Sequence, residues 1–128
     1  MTGAWGGEWA AVPNSAASEL FAIGFPVKAP SRLESGQVNT APDARAVDPD
    51  PACAGTPGAP SAPPGKVCIY IDQLAPSDRI QGYKLMVPII DPAGPGDELG
   101  FTVLVTYNSS TTGDTTVSAR GTWAYTAP

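Results

Sequence analysis

The chain has 128 residues, enough for one domain with a core of ordinary size. Charged residues make up only 15%, and 15 prolines and 14 glycines cut the chain into short runs; no heptad or collagen-like repeat survives that punctuation, and strands joined by turns fit it better. The net charge of −5 comes from 12 acids against 7 scattered bases, so no basic stripe exists to displace counterions and nucleic-acid binding is set aside.

The N-terminal residues lack both a basic region and an apolar run, so no signal peptide is predicted. No stretch approaches the ~18 consecutive apolar residues of a membrane span. Residues 1–18 read as an irregular segment or arm, with a poorly patterned strand over residues 4–12 carrying Trp5 and Trp9 among glycines. Ser15–Ala22 is the best helix candidate, but no later apolar periodicity supports it. Glu19–Phe25 reads as a strand ended by Pro26. Residues 27–33 could continue it along a sheet edge, where Pro30 needs no ladder hydrogen bond. Gln37–Thr40 is a short strand.

Residues 41–65 form a long loop holding Pro42, Pro49, Pro51, Pro57, Pro60, Pro63 and Pro64. A loop of that length is expected to be functional or to cover an edge. The only two cysteines, Cys53 and Cys68, bracket its second half, and Cys68 opens an apolar run. With no histidine and no C-x-x-C, a zinc site is not expected, and a disulfide is expected between them. Lys66–Asp72 is the strongest strand. Ile80–Ile90 follows, with Gly82 as a possible bulge. Asp91–Asp97 is a turn. Glu98–Asn108 and Thr115–Thr126 read as a hairpin across residues 109–114.

Alternation supports these strands. Val67, Ile69 and Ile71 share one face; Phe101, Val103 and Val105 share another, as do Val117, Ala119, Gly121, Trp123 and Tyr125. The reverse sides are only partly polar. They carry Tyr70, Met86 and Leu104, which are expected to form a contact between subunits, with Trp5 and Trp9 packing on a neighbouring subunit or larger partner. Trp123 is expected in the core. The predicted architecture is all-β: an antiparallel, jelly-roll-like β-sandwich of about eight strands forming a single domain over residues 1–128.

No catalytic machinery is expected. Without histidine, Ser-His-Asp and Cys-His arrangements cannot form. The acid pairs Asp72 with Asp78 and Asp97 with Glu98 sit at strand ends and turns, where solvated acids are expected. Asp43, Asp48 and Asp50 lack calcium-loop spacing. Neither a metal nor a cofactor is implied. The Asn108–Ser110 sequon falls on the predicted turn, and its glycosylation is not expected.

Three segments are familiar together: Phe21–Arg32; Cys53–Ile71, with its C-x-G-T start and G-x-x-C-hydrophobic-Tyr close; and the terminal Gly121–Pro128. Their order resembles the C-terminal globular regions of actinobacterial collagen-like and cell-envelope proteins and of related actinophage tail-fibre proteins, from about residue 19 onward. The resemblance implies a non-enzymatic, trimeric β head on a fibre or surface polypeptide, hence an extracellular, cell-surface or virion location. This chain carries no collagen tract. Other roles considered are a carbohydrate- or receptor-binding module, with Trp5 and Trp9 as a sugar platform, and a phage capsid or decoration protein.

Overall fold

The computed structural model describes residues 1–11, 15–44, 46, 49–75, 82–86, 98–109 and 115–128. Its strands are β1 (Thr2–Ala11), β2 (Ser15–Gly24), β3 (Val38–Thr40), β4 (Lys66–Ala75), β5 (Gly82–Met86), β6 (Gly100–Ser109) and β7 (Thr115–Thr126). They form two sheets. Sheet A has the order β1-β7-β4-β3 and sheet B the order β2-β6-β5.

The alternating patterns create the core. Val67, Ile69, Ile71, Val117, Ala119, Trp123 and Tyr125 from sheet A meet Ile23, Phe101, Val103 and Val105 from sheet B in one buried cluster. Phe25, just past β2, packs its ring at 5.8, 5.4 and 5.2 Å from those of Phe101, Trp123 and Tyr125. At the other side of the core, Phe21 sits between Trp5 and Trp9 at 5.8 and 5.6 Å. Aromatic pairs at such spacings add to the free energy of simple burial.

Residues 2–11 are not an irregular arm. β1 holds an unbroken antiparallel register with β7, from Thr2 opposite Ala124 to Ala11 opposite Thr115. A glycine of β7 serves that packing. Gly121 lies between Trp5 on β1 and Ile71 on β4, and the Trp5 indole passes over it to donate from Nε1 to the Tyr70 carbonyl at 3.3 Å. A Cβ at Gly121 would stand 1.9 Å from that carbonyl oxygen and 2.7 Å from the indole nitrogen.

Five other expectations are corrected. β6 and β7 are not a hairpin: β6 pairs with β2 and β5, β7 with β1 and β4. The chain changes sheets between them, and both strands keep one apolar face because each sheet buries one. Residues 27–33 make no strand; Ala29 and Leu33 are buried in coil, with the Ala29 amide bonded to the Glu98 carbonyl at 2.8 Å. The register irregularity falls at Asp72 in β4, while Gly82 pairs regularly with Thr106. The extra residue at 72 resets the alternation, so both Ile71 and Leu74 face the core. The sheets are not wholly antiparallel, because β3 runs parallel to β4. Finally, Ser15–Ala22 falls within β2 rather than a helix. Ile80 and residues 87–97, including the predicted turn, lie outside the described residues.

Candidate functional site

A parallel pair of neighbouring strands cannot be joined by a tight turn; the chain must travel back over one face of the sheet. Between β3 and β4 that return is made by residues 41–65, the proline-rich segment, whose described residues 49–65 lie against the outer face of sheet A. Proline suits this path. Each one removes an N–H that a covering coil would have to satisfy, and its fixed φ lowers the entropy lost on ordering.

The segment is fastened by outward side chains of β4 and β7. Cys53 and Cys68 form a disulfide, and both are buried. The Tyr70 hydroxyl donates to the Ser61 carbonyl at 2.6 Å and accepts from the Gly55 amide at 2.9 Å. Thr122 and Thr126 donate from Oγ1 to the carbonyls of Pro57 and Ala62 at 2.8 and 2.7 Å. A hydroxyl row on the sheet thus supplies the donors that the proline-rich coil lacks. At the segment's flanks, Ala41 N–H bonds the Ile69 carbonyl and Gly65 N–H the Thr126 carbonyl, both at 2.8 Å.

One ion pair completes the attachment. The Lys66 ammonium contacts Asp50 Oδ2, and the Ala52 amide donates to Asp50 Oδ1 at 2.8 Å. These two donors, the ammonium first, hold the Asp50 carboxyl below its ordinary pKa. Asp50 is therefore a structural anion. Asp72 faces Arg120 at 3.2 Å, and Glu98 contacts Lys28. Asp48, Asp78 and Asp97 lie outside the described residues. Among the described residues, no three His, Cys, Asp or Glu side chains gather as a metal-holding group.

The residues expected at a subunit contact do not share a surface. Tyr70 is 1% exposed beneath the strap of its own chain. It belongs to sheet A, whereas Leu104 and Met86 belong to sheet B, on β6 and β5. The apolar reverse side of β4, read as an intersubunit face, is covered from within the chain. Trp5 is buried in the core, and Trp9 is half-buried against Phe21. Trp123 is in the core, as expected. Met86 lies on β5, and nothing of its side chain is described.

Leu104 remains half-exposed, and its cross-strand partner on β2 is Leu20, itself 49% exposed. Leu20 escaped sequence reading, although its position opposite Phe21 in the alternation marked it as outward-facing. Thr122 and Thr126 escaped it likewise; their signal was the same phase, one residue off the buried Trp123 and Tyr125.

No helix among the described residues is long and apolar enough to cross a membrane. Compared with known proteins, the chain matches no family model, no curated protein and no solved structure.

Proposed function

We propose that this chain is a non-enzymatic structural module of an extracellular surface or particle, a jelly-roll-like sandwich that presents a rigid loop to a partner. The observation that carries this reading is the strap at 41–65. A covalent staple, a buried tyrosine and two threonines hold it against sheet A while Pro51, Ala54, Thr56, Gly58 and Ser61 face solvent. Pre-ordering a contact surface in this way lowers the entropy cost of binding. A buried disulfide also favours an oxidising location.

The resemblance to fibre heads of actinobacterial surface and actinophage proteins extends the proposal to a homotrimer. The surface that supports assembly is the outer side of sheet B, where Leu20 and Leu104 sit opposite each other. The three tryptophans pack toward the interior, so no exposed tryptophan platform supports the glycan-binding alternative.

Light scattering at micromolar concentration tests the assembly. A species of three chain masses is expected, and the double variant Leu20→Lys/Leu104→Lys should reduce it to one chain mass with its β-sheet circular dichroism intact. A wild-type chain that stays monomeric would remove the trimer reading.

A further inference from the structure

β1 is an edge strand of sheet A and β2 an edge strand of sheet B; among the described residues β1 pairs only with β7 and β2 only with β6. Both edges are ten residues long and lie in consecutive strands. The direction of the free groups on β1 follows from its ladder. Met1 and Tyr125 exchange both hydrogen bonds, at 2.6 and 2.7 Å. In an antiparallel pair such positions alternate with ones whose N–H and C=O point away from the partner. The register runs unbroken to Ala11, so Thr2, Ala4, Gly6, Glu8 and Ala10 turn their backbone groups outward. Sheet edges are commonly blunted by lysine, proline or a bulge. β1 has none of these.

Beside that edge the two sheets part around a cavity of about 580 Å³, walled by Trp5, Phe21, Ile23, Phe25 and Trp123. The charged side chains that β1 and β2 themselves carry are of one sign. Glu8 on β1 and Glu19 on β2 are the only charged side chains in residues 1–27, and the first base is Lys28. Arg120 lies on β7 opposite Gly6, where its guanidinium meets Asp72.

We infer that the free edge of β1 binds an extended, basic β-strand of another polypeptide, which adds to sheet A as a further strand. The hydrogen-bond row dictates an extended backbone. Side chains opposite Gly3 and Trp5 face this open groove, where the rings of Trp5, Phe21, Phe25 and Trp123 favour hydrophobic ones. Those opposite Ala4, Gly6 and Glu8 lie on the outer face, where Glu8 selects Lys or Arg. A second copy of the chain fits poorly, since its own β1 brings another glutamate and no base. This inference stands apart from the assembly reading, because it concerns sheet A's edge and not the Leu20–Leu104 face.

The test is amide exchange by NMR on the full chain, with a decapeptide alternating valine and lysine at up to about 1 mM, a concentration that reveals even weak binding. Slowed exchange at Ala4, Gly6 and Glu8, with little change on β4, supports the inference. So do loss of that protection with a peptide N-methylated at alternate residues and weakened binding in salt. Glu8→Lys, an exposed position, should weaken the lysine peptide by up to roughly fivefold. The inference is overturned by unchanged exchange at those amides, by equal binding of a valine–glutamate peptide, or by protection of the β5 edge instead. Peptide-free dimerisation through β1 would make a second copy the occupant and overturn it too.

Discussion

Tyr70 illustrates how one side chain can have two very different readings. Its ring sits on the outward side of β4, yet its hydroxyl is bonded to two backbone groups of the strap. Tyr70→Phe keeps the ring and leaves the Gly55 amide and Ser61 carbonyl without that partner. A loss of about 1–3 kcal/mol is expected, read as a lower urea midpoint with unchanged slope. The pair of Asp50 and Lys66 makes a second prediction. The Asp50 pKa is depressed in the folded state, so the stability it contributes is present above its unfolded value near 3.9 and is lost as pH falls through the folded value. Lys66→Met should therefore lower stability at neutral pH and flatten the decline below about pH 4 in acid-titrated urea melts. An acid limb as steep as that of the parent chain would exclude this pair as a source of the pH dependence.

Among the elements, the strap is the one whose behaviour the disulfide governs. The cysteines are 15 residues apart, a loop for which chain entropy gives about 3 kcal/mol of stabilisation. Cys53→Ser/Cys68→Ser should lose roughly that much. The unreduced, unfolded parent should titrate no free thiols. Cysteine spacing, proline content and apolar periodicity were legible before any coordinates: Lys66–Asp72 lies within β4, Thr115–Thr126 is β7, and the inward phases of β4, β6 and β7 match the core. Strand partnership was not legible. A polar turn between Asn108 and Thr115 looks the same whether the next strand returns beside the last or crosses to another sheet, because alternation records which face is buried and not which neighbour is paired. The apolar reverse side of β4 misled for a related reason. Cys68 and Tyr70 are covered, but by a segment that lies close in sequence and comes back across the face, and periodicity cannot distinguish that cover from a second subunit. The bulge at Asp72 left its own trace in the Ile71–Leu74 spacing, visible once both were known to point inward.

At the scale of the whole molecule, two sheets share one interior and carry different outer surfaces. Sheet A wears the strap over β4 and β7, while sheet B shows Leu20 and Leu104. The proposed recognition through the strap and the proposed self-association through sheet B would therefore use separate areas of the surface. The pairing of Met1 with Tyr125 has a mechanical consequence. Because β1 begins where β7 ends, tension applied between residues 1 and 126 would peel the two strands apart like a zip, loading one rung at a time. Handles at residues 1 and 115 would instead pull along the strands and load every rung of the β1–β7 ladder at once. Single-molecule stretching should give a distinctly lower rupture force in the first geometry, and equal forces would mean that this ladder does not bear the load. A fibre that used this domain as an in-line link would yield there first, whereas one that held it as a pendant by a single end would never strain it.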